Sequence, residues 1–399
     1  MTASVDRRRV VGLDGIRGLA ALFVVLHHVW LMSFPGFPRN TGPAWLGFLL
    51  YGHFAVVVFI TLSGFSLGIS PARKGWDLGG KKRFAQRRAW RILPPYWAAL
   101  AFSIIITWWS GVPEPTSAMP NGKSVVVYGF LVQDIFAAPV PNGALWSIAV
   151  EAQLYLVFPL LVLFMRRYGW WAVLATATVP TVAVGLLAPH VSVVAKLMRL
   201  TPQFAPLFAL GLVAAGVVSA PERIRRLPLQ WLALLAALPV LVLILVKGSA
   251  WTVAHFFWID ILSGPAIALT LAAVAARRAT ALGWLLGTRP VRGLGRFSYS
   301  LYLVHAPIVV IIATKFVAPH LAPGLPAFWV TLAVAVPVCL VFAHLFATVF
   351  EIPFQRYRSW AQLRAATLGR WMRPAAIPVS PAPVAEPAPV VEPEEVVPS

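Results

Sequence analysis

The sequence contains few charged residues. Only 12% of its 399 residues are Asp, Glu, Lys or Arg, and 59% are hydrophobic, whereas soluble domains contain about 25% charged residues. Apolar runs of roughly 20 residues, long enough to cross about 30 Å of hydrocarbon, recur between residues 18 and 350. This composition excludes an ordinary soluble domain. It predicts an all-α, polytopic integral membrane bundle of about ten transmembrane helices.

Cysteine and acidic residues are also scarce. The single cysteine, Cys339, excludes an internal disulfide framework and a cysteine-built metal site, and we expect no bound metal. Of the thirteen acids, four lie after residue 374. An acid inside an apolar span is costly and by default marks function, which singles out Glu151 and Asp260.

Basic residues are abundant, and the net charge is +20. They occur in short runs between apolar segments, as the positive-inside rule describes, and form no continuous basic face for nucleic acid. Of the 33 Lys and Arg residues, 27 fall in alternate connections on one side and 6 on the other. This distribution predicts a multi-pass protein of the cytoplasmic (inner) membrane with both termini in the cytoplasm, and no nucleic-acid partner.

The apolar runs define ten predicted spans. They are 18–34, 48–69, 92–110, 145–166, 170–188, 203–219, 229–246, 252–276, 297–316 and 327–350. Residues 1–17 are predicted to be a cytoplasmic N-terminus, 18–353 the membrane domain and 354–373 a basic cytoplasmic segment. Residues 374–399, rich in Pro, Ala, Val and Glu, favour a disordered tail. The connection 111–144 contains five prolines and is either a cap over an outer cavity or a solvated connector.

The first motif pairs Arg17 with His28, eleven residues later. At 100° and 1.5 Å per residue, the two share nearly one helix face and lie about 16 Å apart along it. One helix thus carries an anion-binding guanidinium at its cytoplasmic end and a titratable base deep in the membrane. Asp14 can pair with Arg17 at i,i+3. His27 points about 100° away. The alternative is a positive-inside anchor and a histidine that only joins two helices.

Arg88 and Arg91 form the second motif, as i,i+3 neighbours on the predicted cytoplasmic side. Paired guanidinium groups suit phosphate, although an ordinary positive-inside loop has the same composition. In the third motif, Glu151 and Tyr155 share a face at i,i+4. The carboxylate needs a partner, which is either a catalytic group or a structural salt bridge.

The fourth motif places Ser298, Tyr302 and His305 on one helix face. Hydroxyls and an imidazole in such a row suit the wall of a polar cavity, while polar packing between helices is the competing interpretation. A weaker feature is Ser63-Gly64, which allows close approach of two helices.

These motifs, in this order, resemble the acyltransferase 3 family of membrane-bound acyl-CoA transferases, from Leu13 to about Pro353. The resemblance implies transfer of an acyl group, often acetyl, from cytoplasmic acyl-CoA to a hydroxyl of a carbohydrate, cell-surface glycan or natural product. No tightly bound cofactor is implied. The chain departs from many relatives at His53-Phe54-Ala55, where a more acidic or aromatic stretch is common.

The resemblance also suggests roles for the motif residues. Arg17, Arg88 and Arg91 are expected to hold the phosphates of coenzyme A, and His28 to remove the proton from the acceptor hydroxyl as general base. Glu151 is expected to orient or charge-stabilise that histidine. The acceptor path is expected to be lined by Ser298, Tyr302 and His305. The alternative function is a transporter or flippase, since intramembrane His and Glu also relay protons, but the motifs show no repeat between halves.

Overall fold

The computed structural model describes residues 10, 12–277, 279–357 and 359–371, and these contain helices but no β-strand. In chain order the α-helices are α1 (Leu13–Ser33), α2 (His53–Ala72), α3 (Lys81–Ser110), α4 (Gly122–Gly129), α5 (Trp146–Tyr168), α6 (Trp170–Leu187), α7 (Ser192–Leu197), α8 (Phe204–Ala214), α9 (Glu222–Arg225), α10 (Leu229–Ala254), α11 (Phe256–Ala275), α12 (Thr280–Gly287), α13 (Arg289–Arg296), α14 (Ser298–Ile311), α15 (Leu325–Phe350), α16 (Ile352–Arg356) and α17 (Trp360–Trp371). The predicted all-α fold is confirmed.

Nine helices in the described residues are long and apolar enough to cross a membrane. A tenth span is formed if Ser192–Leu200 and Phe204–Ser219, which meet at a bend of 47°, are counted together. This agrees with the predicted number. The predicted span 203–219 corresponds to the second helix of this pair. That helix reaches the length of a full span only together with the first.

Several helix ends differ from the predicted bounds, because hydropathy marks the apolar part of a helix and not its polar turns. Helix α1 begins at Leu13, so Arg17 lies inside it and the predicted boundary at residue 17 falls within a helix. Helix α3 begins at Lys81 instead of residue 92 and contains both arginines of the second motif. Helix α10 continues past a break at Gly248 (φ 74°) to Ala254.

Helices α2 and α8 make a close contact in the bundle core. A Cβ atom at Gly64 would lie 2.1 Å from the carbonyl oxygen of Phe208, and one at Gly211 would lie 2.0 Å from that of Thr61. The two backbones therefore touch, which only glycine allows at these positions. The close approach predicted at Gly64 is confirmed.

The connection 277–296, between two predicted spans, contains helices α12 and α13. A Cβ atom at Gly15 would lie 2.8 Å from the carbonyl oxygen of Leu286, and one at Gly18 would lie 2.7 Å from the amide nitrogen of Gly295. The first turns of α1 thus pack backbone against backbone on α12 and α13. This contact fixes the position of Arg17.

The connection 111–144 is anchored in the bundle by Asn142, which is fully buried. Its Nδ2 donates to the Ser103 hydroxyl (3.0 Å) on α3 and to the Leu303 carbonyl (2.8 Å) on α14. At least this part of the connection is therefore packed into the bundle and is not a solvated linker.

Residues 357 and 359–371, which include α17, belong to a second unit, distinct from the helical bundle. The predicted domain boundary at residue 353 falls inside α16. The predicted tail, 374–399, lies outside the described residues.

Candidate active site

A cavity of about 430 Å³ opens between α1, α2, α3, α5 and α14, at the end of the bundle where α1 begins. Its walls contain six of the eight predicted site residues: Arg17, Arg88, Arg91, Glu151, Ser298 and Tyr302. Motifs from four separate parts of the sequence therefore meet around one space.

Arg17 is held in a fixed orientation in this cavity. Its Nη1 lies 3.0 Å from Oδ1 of Asp14, one helical turn earlier, and its Nη2 donates to the Ser66 hydroxyl at 2.6 Å. The predicted Asp14–Arg17 pair is confirmed.

Arg88 and Arg91 line the same cavity, and the described residues provide neither with a salt bridge. The Nε atom of Arg88 is buried and has no hydrogen-bond partner among the residues that the structure describes. The guanidinium carbon of Arg88 lies 5.9 Å from the centroid of the Phe84 ring, which holds one of its faces. A buried polar atom without a partner is costly. The half-buried Arg88, with the exposed Arg91 one turn later on α3, therefore suits an anionic ligand.

Glu151 forms hydrogen bonds with two neighbouring hydroxyl groups. Its Oε1 accepts hydrogen bonds from the Ser63 hydroxyl (2.6 Å) and from the Tyr155 hydroxyl, and these two hydroxyls lie 2.8 Å apart. Glu151 therefore has the partner that its burial requires. It makes no hydrogen bond to His28, so the expected direct orientation of that histidine by Glu151 is not what the contacts show.

Glu351 is a cavity residue that the sequence analysis missed. Its Oε2 accepts from the backbone N–H (3.0 Å) and the hydroxyl (2.6 Å) of Ser300, and its Oε1 accepts from Gln355 at 2.8 Å. The carboxylate thereby satisfies a free N–H in the first turn of α14. The predicted last span ended at residue 350, so this buried acid fell just outside the predicted spans.

His28 lies against His305, beyond the Tyr302 end of the cavity. The Tyr302 hydroxyl is 2.7 Å from the Ser147 hydroxyl, and the Tyr302 ring centroid is 5.9 Å from that of His305. The imidazoles of His305 and His28 are 4.7 Å apart between centroids and 3.3 Å apart between Nε2 of His305 and Nδ1 of His28. Tyr302 thus connects the cavity to the pair of histidines.

The hydrogen bonds of this pair determine which nitrogen can act as a base. Nδ1 of His28 lies 2.9 Å from the carbonyl oxygen of Val24, and Nδ1 of His305 lies 2.8 Å from that of Tyr302. A carbonyl only accepts, so both Nδ1 atoms carry the proton of the neutral ring. Nε2 of His28 then has the free lone pair, and it makes no hydrogen bond to any described residue.

His305 was expected to line the acceptor path. Its side chain is fully buried, lies outside the wall of this cavity and contacts His28. The neighbouring His27 turns away, as predicted: its Nδ1 lies 2.7 Å from the carbonyl oxygen of Leu49.

The second intramembrane acid, Asp260, is fully buried and pairs with His53. The Nε2 atom of His53 lies 3.0 and 2.8 Å from the two carboxylate oxygens, and Phe256 stacks on the imidazole with centroids 4.1 Å apart. The sequence analysis did not find this pair. A lone acid in a span signals that some partner exists, but not which one, since 207 residues separate the two.

Comparison with known proteins decides the family. Residues 10–344 match the model of the acyltransferase domain Acyl_transf_3. The chain belongs to the acyltransferase 3 family. The match covers the helical bundle from the start of α1 to near the end of α15, and the resemblance noted in the motifs is confirmed.

Three relatives illustrate the range of matches. Acyltransferase MdmB of Streptomyces mycarofaciens is 30% identical over 177 residues, 41% of this chain and 43% of that protein. O-acetyltransferase OatA of Staphylococcus aureus is 24% identical over 78% of this chain and 52% of its own length. The putative peptidoglycan O-acetyltransferase YrhL of Bacillus subtilis is 26% identical over 89% and 56%.

The chain spans about half the length of these curated relatives. No solved structure matches it.

Proposed function

We propose that this chain is a membrane O-acetyltransferase that moves an acetyl group from cytoplasmic acetyl-CoA to a hydroxyl of a carbohydrate, with His28 as general base. The proposal is supported above all by one cavity. Arg88 and Arg91, which have no salt bridge to a described residue, line one part of it, and Tyr302 lines another. The Tyr302 ring lies beside His305, which contacts His28; His28 has a free Nε2 but is not itself part of the cavity wall.

The arginine end suits the charged part of the donor. Arg17, Arg88 and Arg91 present guanidinium groups to the cavity. The carboxylates of the cavity already have partners: Asp14 bonds to Arg17, Glu151 to Ser63 and Glu351 to Ser300. Guanidinium groups bind phosphate oxygens bidentately. The uncharged pantetheine arm then extends along α1, on which Arg17 and His28 lie about 16 Å apart.

The reaction takes place at the other end of that arm. Nε2 of His28 accepts the proton of the acceptor hydroxyl, the oxygen attacks the thioester carbonyl, and the carbon–sulfur bond breaks. The thiolate of coenzyme A leaves and takes up a proton. The hydroxyls of Tyr302 and Ser147, 2.7 Å apart, lie on the cavity side of the histidine pair and line the acceptor path.

The names of the relatives suggest the first acceptor to test. OatA is named an O-acetyltransferase and YrhL a putative peptidoglycan O-acetyltransferase. The proposed acceptor class is therefore a cell-surface glycan, with peptidoglycan fragments as the first probe. The distribution of Lys and Arg supports a cytoplasmic position for the donor end of the cavity.

Binding of acetyl-CoA by purified protein in lipid nanodiscs tests the donor site. Replacing Arg88 and Arg91 together with Gln should weaken binding at least tenfold, because charge-assisted hydrogen bonds contribute about 1.5–3 kcal/mol each. The matched control is Arg166→Gln with Arg167→Gln, which removes two charges from the exposed end of α5, outside the cavity.

Unchanged acetyl-CoA affinity in the Arg88/Arg91 variant would contradict the donor assignment. Transfer of radiolabelled acetyl groups to peptidoglycan fragments then tests the reaction. A protein that binds no acetyl-CoA and instead moves glycan fragments across the membrane of a proteoliposome would support the transporter alternative.

A further inference from the structure

A second cavity, of about 560 Å³, adjoins the first at the end of the bundle where α1 begins. Arg17, Ser66 and Arg91 lie in the walls of both. The two cavities therefore meet beside Arg17 and Arg91, and a long ligand can occupy both.

The second cavity also has basic residues of its own, Arg73 and Lys74, directly after the end of α2. Backbone hydrogen bonds fix this turn: the Arg73 N–H donates to the Ile69 carbonyl (3.2 Å), and the Lys74 N–H donates to the Pro71 carbonyl (2.9 Å). The two side chains thus leave the chain at defined points beside the cavity.

The charge of this cavity is strongly positive. Among the residues that the structure describes, four cations line it, Arg17, Arg73, Lys74 and Arg91, together with one acid, Asp14, which bonds to Arg17. A guanidinium and an ammonium group side by side suit a phosphate that carries two negative charges. The basic residues of this connection follow the positive-inside rule, and two of them also line the cavity.

The next step rests on the proposed function, with acetyl-CoA as the donor. Coenzyme A has its thioester at one end and, at the other, an adenosine whose ribose carries a 3′-phosphate, with a pyrophosphate between them. If the thioester lies near Tyr302, the pyrophosphate passes Arg17 and Arg91, where the cavities meet. The 3′-phosphate then enters the second cavity.

We propose that Arg73 and Lys74 bind the 3′-phosphate of the coenzyme A ribose and make the donor site selective for coenzyme A over its 3′-dephospho form. This assigns the far end of the donor to the turn after α2. The residues that recognise the 3′-phosphate are thereby distinguished from Arg88 and Arg91, which line the first cavity.

The test compares acetyl-CoA with 3′-dephospho-acetyl-CoA as ligands of the full chain in lipid nanodiscs. Wild-type protein should bind acetyl-CoA about tenfold more tightly or better, since one charge-assisted contact corresponds to roughly that factor. The Arg73→Gln, Lys74→Gln variant should bind both ligands equally, at the wild-type affinity for the dephospho form. The matched control, Lys82→Gln with Arg83→Gln, removes two exposed charges of the same connection outside both cavities and should keep the wild-type preference.

The outcomes separate this inference from the proposed function. Wild-type protein that binds both ligands with equal affinity would overturn the 3′-phosphate site while leaving the acetyl-CoA donor intact. A double variant that keeps the preference would exclude Arg73 and Lys74. One that loses affinity for the dephospho form as well would show that these residues serve another purpose. Wild-type protein that binds neither ligand would refute the proposed function together with this inference.

Discussion

Replacing His28 with Gln tests the chemistry most directly. Glutamine retains an N–H that can bond to the Val24 carbonyl and face His305, but it cannot accept a proton. General-base catalysis contributes about 100- to 10,000-fold, so kcat should fall by that factor, or about 3–5 kcal/mol of transition-state stabilisation. Donor binding should not change, because Arg17 lies about 16 Å away along α1.

The assay is transfer of radiolabelled acetyl from acetyl-CoA to peptidoglycan fragments in nanodiscs, with acetyl-CoA affinity measured on the same preparation. His27→Gln is the matched control, since the His27 imidazole is bonded to the Leu49 carbonyl, away from His305. It should transfer acetyl groups at close to the wild-type rate.

A second variant examines the contact between the histidines. His305→Gln removes the imidazole nitrogen that faces Nδ1 of His28, so kcat should fall by less than in His28→Gln while acetyl-CoA affinity stays the same. The double variant should be no worse than His28→Gln alone, because groups that act through one proton transfer are not additive. Near-normal transfer by His28→Gln, or a double variant that multiplies both losses, would refute this reasoning.

Three further predictions concern the scaffold. Reporter fusions after residue 125 should lie outside the cell and those after residue 168 inside it, and a cytoplasmic signal at 125 would contradict the ten-span topology. Gly64→Ala should lower the melting temperature in detergent, because its Cβ would lie 2.1 Å from a backbone oxygen, whereas Gly283→Ala, with open space around it, should not. Asp260→Leu should lower the free energy of unfolding by about 3–5 kcal/mol, because it leaves His53 without its buried partner. Adding His53→Phe should restore much of that loss. If stability does not recover, the pair does more than hold α2 to α11.

Hydropathy and charge predicted the helical architecture because both signals are local. The number of spans follows from the length of each apolar run, and Arg17, Arg88 and Glu151 stood out because charges near apolar runs are rare. The contacts that join distant segments carry no such signal. His28 and His305 are 277 residues apart, so each could be marked as polar in a span, but their contact could not be inferred.

Polar helix ends were the other weakness of the sequence analysis. Glu351 follows the last apolar residue of α15 and yet is 3% exposed, because it turns inward to Ser300. Lys81 begins a helix whose first three turns are polar. In both cases ordered structure continues beyond the apolar run. Hydropathy does not distinguish helix from loop in such polar segments.

The packing of α1 on α12 and α13 has a practical consequence for handling the protein. Cytoplasmic connections are the usual places to insert affinity tags or fluorescent proteins, and by sequence the stretch 277–296 is an obvious choice. Yet Gly295 touches the backbone of Asp14 so closely that a Cβ atom there would lie 2.1 Å from its carbonyl oxygen, and Gly295 and Arg296 form part of the cavity wall. An insertion between α12 and α13 would therefore move Arg17 and distort the cavity that we propose as the donor site. The exposed helix α9, Glu222–Arg225, offers a site where a reporter can be added without reshaping the region under study.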